Sequence, residues 1–458
     1  MRLRAAGSTV GLVPKVSYRA ALAVPEFRAL LAAAATAITA QVVSSVVLTV
    51  LVFDRTRSPL LSAATFTLGF LPFLVTGTVL SGVVDRVPPR RLLASCTLGS
   101  AGLTAVMALP GIPVAGLFAL LVGTGTLSGL GNAAQAALVR SVVPEAAYVP
   151  ARSLVRIAVQ GAQLGGNPVG GLLFVTLSAS GSFLASAALL AVAAAVARFG
   201  IRGHPAAGPA DGTALLRDSL HGVRNVLAQA RLRRLMLLGW LVPTFSVAPE
   251  ALAAPYIAGR GASPALVGWW LAALPIGIIA GDLIGVTFLS ARRQRLLVGA
   301  AAAASFVPYL VFAATPPVAV ALPLLAVSGT GSLYSLGLDG MVRQVAPEHL
   351  FARAMAINSA GLLTLQALGF AFAGALGAVA GPGPAIAIAG MCGIVAVACL
   401  HPTKYVDSPA TAALACRDAR PAYRSPYPSL VAGVRHPALG GDERRSGGPA
   451  IPRGLADS

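Results

Sequence analysis

Residues 139–145 read VRSVVPE, and residues 342–348 read VRQVAPE. Arg140 and Arg343 stand 203 positions apart, as do Pro144 and Pro347, and Glu145 and Glu348. The same offset carries Gln163 onto Gln366 and Gly166 onto Gly369. Two short basic stretches, Arg90-Arg91-Leu92-Leu93 and Arg293-Gln294-Arg295-Leu296-Leu297, also correspond once one gap residue is allowed. Coincidence accounts poorly for matches that recur in one order along the chain.

The repeated unit is apolar. Of 458 residues, 56% are hydrophobic and 11% charged, and mean hydropathy is +0.79. A soluble globular chain carries roughly 25% charged residues, so the composition is that of a polytopic membrane protein. The net charge of +19 does not point to nucleic acid, because aromatics are only 6% and no basic face is interleaved with stacking rings. The four cysteines, Cys96, Cys392, Cys399 and Cys416, form no CxxC pair, so neither a disulfide framework nor a metal site is expected. His204, His221, His349, His401 and His436 fall outside the apolar runs. An intramembrane metalloenzyme is therefore not expected, nor is any cofactor.

A span needs about 20 mostly apolar residues. Twelve segments meet this: 29–53, 60–84, 91–110, 113–137, 152–176, 179–199, 235–257, 265–289, 295–314, 317–340, 353–378 and 382–400. Gly381-Pro382-Gly383-Pro384 marks the last break. With the N-terminus inside, 31 of the 34 Lys and Arg lie in or beside the inner segments, and only Arg55, Arg57 and Arg260 lie outside. The excess of positive charge on one face sets topology, so both termini are expected in the cytoplasm. The domains expected are a cytoplasmic leader (1–28), a six-span half (29–199), a central loop (200–234), a second six-span half (235–400) and a cytoplasmic tail (401–458). The leader lacks a compact apolar core with a cleavage site and reads as retained. The Pro-, Gly-, Arg- and Ser-rich tail reads as disordered. TALLRDSLHGVRNVLAQARLRRL (213–235) has the spacing of an amphipathic surface helix. The repeat then relates two six-span halves in the same orientation, an arrangement found in one transporter architecture.

The loop after the second span carries LSGVVDRVPPRRLL (80–93). It resembles the loop 2–3 signature of the major facilitator superfamily, roughly G-x-L-A-D-R-x-G-R-R-x-x-L. Asp85, Arg86, Arg90, Arg91 and Leu93 occupy matching positions. Ser81 stands for the first glycine, with Gly82 one place later, while Pro88 and Pro89 replace a glycine and an arginine. The resemblance implies an inner-gate clasp. Its small residue lets spans 2 and 11 approach, Asp85 faces the start of span 11 near Arg353, and the arginines anchor to headgroups. The plain alternative is a solvated loop obeying the charge rule.

GAQLGGNPVGG (161–171) in span 5 is similar to the glycine-proline motif of proton-coupled exporters, although Asn167 interrupts the Gly-Pro pair. Gly165, Gly166, Pro168, Gly170 and Gly171 are expected to give tight packing and a kink, with ordinary small-residue packing as the alternative. The chain over about 20–400, including VFDRTRSPL (52–60) and WLVPTFSVAPEALAAPY (240–256), resembles the enterobactin-exporter-like and macrolide-efflux-like branch of the superfamily. That implies an all-α, twelve-span fold of two parallel six-helix repeats. It also implies spans 1, 4, 7 and 10 around a central cavity, flanked by 2, 5, 8 and 11.

Ionised side chains inside a bilayer cost at least about 2.5–3.5 kcal/mol, which singles out Glu250 in span 7 and Asp282 in span 8. Each could load and release a proton. The alternatives are an outer-headgroup position for Glu250 and a local ion pair for Asp282. Gln41, Asn132 and Trp240 are the cavity candidates, while Gln135, Gln160, Gln163, Asn167, Asn358 and Gln366 read as interhelical hydrogen-bonding groups. Span 4 carries no mid-membrane arginine of the kind found in several proton-driven drug exporters. The expected function is export of a small amphipathic or apolar organic molecule across the cytoplasmic membrane, by alternating access in antiport with protons, the chain acting as a monomer. Uptake of a metabolite and a non-transporting scaffold are the alternatives. An enzyme would need a cluster of acids, histidines or a nucleophile, and a nucleotide-driven pump would need a phosphate-binding loop; the sequence has neither.

Overall fold

The computed structural model of the protein describes residues 18–78, 86–144, 147–202, 228–345 and 348–400. The leader up to residue 17, the tail from 401, and most of the proposed amphipathic helix lie outside these. So do Ser81, Gly82 and Asp85 of the gate motif.

The described residues are helical and contain no strand. The runs are α1 (Pro25–Thr56), α2 (Pro59–Thr78), α3 (Pro89–Met107) and α4 (Val114–Val142). A 53-residue run, Tyr148–Gly200, follows. At 1.5 Å per residue it would extend about 80 Å, far beyond a bilayer core of about 30 Å. It breaks at Ser178, whose φ of 62° leaves the helical region, giving α5 (148–177) and α6 (179–200). Then come α7 (Ala230–Gly259), α8 (Ala265–Phe288), α9 (Val298–Ala314), α10 (Val318–Val345), α11 (Glu348–Ala380) and α12 (Pro382–Leu400). Each expected span overlaps one of these runs, and the described residues form an all-α bundle.

Local chemistry sets the ends. Proline begins α1, α2, α3 and α12, where its missing N–H is no loss. The last connection turns at Gly381, with φ +84°, a backbone that glycine adopts without strain. Boundaries differ from expectation in places. α7 starts at Ala230 inside the segment assigned to the central loop, because Arg231, Arg233 and Arg234 extend the helix past the apolar stretch. α7 is also interrupted near Val247 and Leu252, in keeping with Pro243, Pro249 and Pro255. By contrast α5 keeps helical backbone angles through Pro168. The one residue of that run with non-helical backbone angles is Ser178.

α1 packs along α5 and α6, α3 against α4, α7 against α11 and α12, and α8 against α10. α2 meets α11 and α5 meets α8, and these two pairings join the halves. The repeat reappears as packing. Gly166 of α5 sits on Val42 and the Thr39 carbonyl of α1, and its counterpart Gly369 of α11 sits on the Thr244 carbonyl of α7. The core divides unevenly. Forty buried residues form one cluster dominated by the C-terminal half, while the N-terminal half holds smaller separate clusters.

Candidate functional site

The seam between the halves includes small residues and stacked rings. Phe66 of α2 stacks on Phe370 of α11 at 4.9 Å and 11°. Thr67 donates to the Ala367 carbonyl at 3.3 Å. Across the other pairing, Asn167 Nδ2 donates to the Leu271 carbonyl at 3.3 Å. A Cβ on Gly171 would come within 2.5 Å of the Ala265 carbonyl oxygen, and one on Gly268 would strike the Asn167 carbonyl. The helices therefore touch backbone to backbone here. Within the motif the labour is divided. Gly166 and Gly170 pack on α1 and Gly171 on α8, whereas a Cβ on Gly165 would meet nothing. Asn167 thus has a partner across the seam as well as a place in the motif. These contacts lie toward the helix ends joined by the arginine-poor loops. The three arginines of those loops are held locally. Arg57 pairs with Asp54 at 2.8 Å, Arg55 donates to the Ile112 carbonyl at 2.7 Å, and Arg260 lies over the Tyr256 ring.

Inside the N-terminal half a partly open chamber of about 290 Å³ is lined by residues of α1 to α6. Its polar lining is hydroxyl and amide, including Gln41, Ser44, Thr65, Thr104, Ser128 and Gln163, and its apolar lining includes Phe66 and Met107. Among the described residues no Asp, Glu, Lys, Arg or His lines it. A second space of about 30 Å³ lies toward the arginine-rich ends and is bordered by Asn132, Gln135 and Cys96. Gln41, Ser100 and Ser128 border both spaces, and Gln41 Nε2 donates to Ser128 Oγ at 3.1 Å between them. Of the cavity candidates, Gln41 and Asn132 thus face internal space. Trp240 is buried, donates to the Asn358 carbonyl at 3.0 Å and packs on Gly361, so it joins α7 to α11. Gln163, read in the sequence as a packing group, faces the larger chamber.

Glu250 sits on the short segment Ala248–Ala251 between the breaks of α7. The breaks free backbone carbonyls, and aromatic donors take them. Trp270 Nε1 donates to the Pro249 carbonyl at 2.8 Å, and Tyr309 Oη donates to the Ser246 carbonyl at 3.0 Å. Tyr256, Trp270, Phe312 and Tyr309 contact one another ring to ring. Glu250 is half-buried, and its segment packs against α2 and α11 at the seam. Among the described residues no Lys or Arg lies within ion-pairing distance of it. Asp282 lies on α8, where Ser332 Oγ of α10 donates to its Oδ1 at 3.5 Å. Its partner is thus a hydroxyl rather than a base.

Arg86 and Arg91 of the gate motif are exposed. Arg90 is half-buried, with its Nε enclosed and without a hydrogen-bond partner. Arg353 lies in α11. The sequence reading overlooks Asp339, although it falls inside the span 317–340. It is exposed on α10, within electrostatic reach of Arg343 one turn on and of Arg156 on α5. The acid's position within a span was the available signal.

No family model matches the chain. Curated relatives do. The chain is 26% identical over 323 residues to "Enterobactin exporter EntS" of Shigella boydii serotype 18, covering 68% of this chain and 75% of the relative, and equally to that exporter from Escherichia coli. Solved structures share the fold. A bacterial homolog of the human lysosomal transporter Spinster, in an inward-facing and unoccupied conformation, aligns with a TM-score of 0.61 at 15% identity, over 86% of this chain and 97% of that one. A POT family transporter in complex with 5-aminolevulinic acid aligns at 0.62 and 12% identity, over 84% and 96%. The nucleoside transporter NupG aligns at 0.61 and 14% identity, over 82% and 98%. These proteins are transporters rather than enzymes.

Proposed function

We propose that this multi-pass membrane protein, a transporter of the major facilitator type that resembles enterobactin exporters, exports a small amphipathic organic molecule from the cytoplasm in exchange for protons. The observation that carries this reading is Glu250. It is an acid inside the membrane, without a basic partner among the described residues, on a broken helix that abuts the seam. An intramembrane acid of this kind is costly unless it works. Its position lets one movement change both the seam and the carboxyl's surroundings, which is what coupling requires. The seam's backbone-to-backbone glycine contacts suit two bodies that rock against each other. Export is favoured over uptake by the glycine-proline likeness in α5 and by the likeness to an exporter. Asp282 is the second coupling candidate.

In this reading both termini are cytoplasmic, the arginine-rich loops lie inside, and the chain acts as a monomer of two six-helix halves. Arg86, Arg90, Arg91 and Arg353, with Ser81, Gly82 and Asp85, latch the inner face. Arg156 and Asp339, which belong to opposite halves, draw together when that face closes. The test is reconstitution in liposomes with an internal pH dye while lipophilic antibiotics and siderophores are added. Compound-dependent proton movement that is abolished by Glu250→Gln or Asp282→Asn supports antiport. Labelled compound that equilibrates without proton movement contradicts it.

A further inference from the structure

We propose that the chamber inside the N-terminal half is a binding site for a neutral small organic molecule that bears hydroxyl or amide groups and one apolar face. The lining decides the chemistry. Among the described residues no acid or base borders the chamber, and burying an unpaired charge against hydroxyls and methylenes is strongly unfavourable. A purely apolar ligand is also disfavoured, because it would leave the lining hydroxyls and amides desolvated and unpaired. Ser44 lines the chamber, and its Oγ is buried without a hydrogen-bond partner, a hydroxyl that pairs only when the wall shifts to admit a ligand group. Phe66 and Met107 supply the apolar side.

Size narrows the class further. At about 290 Å³ the chamber holds roughly ten water-sized volumes, the size of a single substituted ring or of one such segment of a larger molecule. Its position ties it to transport. Phe66 is at once part of the chamber wall and half of the ring stack that joins α2 to α11, so parting the seam would uncover the chamber. Toward the arginine-rich ends the Gln41–Ser128 hydrogen bond separates it from the smaller space. The assignment rests on the export reading only in taking the ligand to be cargo, and binding can be read without any transport.

The probe is radiolabelled benzamide, a neutral aryl amide of suitable size, with benzoate and benzylammonium as charged counterparts. Equilibrium dialysis would use the full chain in phosphatidylcholine nanodiscs, with empty nanodiscs subtracted. The structure also offers a plug. Gly69 borders the chamber, and a Cβ there meets no atom within 4 Å, so Gly69→Leu fills the space without striking backbone. The expected result is saturable benzamide binding, at least about tenfold tighter than either ion, abolished by Gly69→Leu and weakened about threefold or more by Thr104→Val or Ser44→Ala. Apparent melting temperature confirms that the variants are folded, and the isosteric Thr104→Val decides the matter should Gly69→Leu fail to fold. No saturable binding, equal binding of the ions, or binding unchanged in the folded variants overturns the proposal. Failure of proton coupling with binding intact would sink the antiport reading alone.

Discussion

In the N-terminal half, six helices surround a chamber lined by serine, threonine and glutamine. In the C-terminal half the helices close on a continuous core that contains Trp240, Tyr256, Trp270, Phe306, Tyr309 and Phe312. The two halves repeat the same topology and even the same glycine contact, Gly166 on α1 and Gly369 on α7. What differs is the interior. The acids within the expected spans also divide unevenly, since Glu250, Asp282 and Asp339 all lie in the C-terminal half. Among the described residues, one duplicated framework thus carries two different interiors, one with a chamber lined by hydroxyl- and amide-bearing residues and one with a large continuous core rich in aromatic rings.

Substitutions that probe this contrast are best read as stability changes, by unfolding in mixed micelles titrated with dodecyl sulfate. The largest effect is expected from Trp270→Ala. Its ring is fully buried in the C-terminal cluster and holds the Pro249 carbonyl, so the loss should be about 3–5 kcal/mol. A loss under about 1 kcal/mol would mean that the aromatic cluster is not a rigid support. Gly268→Val comes next, at about 1–3 kcal/mol from overpacking the seam, because its added carbons strike the Asn167 carbonyl. Gly165→Val, with open space beside it, should stay within about 0.5 kcal/mol; equal losses at the two glycines would deny that the motif acts by packing. Tyr309→Phe removes the hydroxyl that caps the Ser246 carbonyl and should cost about 1 kcal/mol. Ser44→Ala removes a hydroxyl with no partner, so stability should hold to within about 0.5 kcal/mol. A clear loss there would indicate that the chamber wall is packed like the other half.

Much of the architecture was legible because hydropathy and charge report on the bilayer directly. Twelve apolar runs, the break near Ser178 and the turn at Gly381 follow from residue type alone. Where polar side chains would point was harder to read. Gln41, Asn132 and Trp240 look equivalent as isolated polar groups in apolar runs. Helix rotation, which depends on both neighbours at once, turns the first two toward internal space and the third into the core. Glu250 was found because a charge among apolar residues stands out. The chamber was missed because serine and threonine are unremarkable one at a time, and only the convergence of six helices makes them a lining. Asp339 shows a different limit, since its relation to Arg156 depends on two helices from opposite halves.

The division of labour is tested most directly by measuring binding and proton movement on the same two variants, Gly69→Leu and Glu250→Gln. The probes are benzamide for binding and a compound that drives proton movement in wild-type liposomes for coupling. The account predicts that Gly69→Leu loses both, and that Glu250→Gln keeps benzamide binding within about twofold while proton movement falls at least about tenfold. Glu250→Gln protein that still moves protons, or Gly69→Leu protein that still binds benzamide, would contradict it.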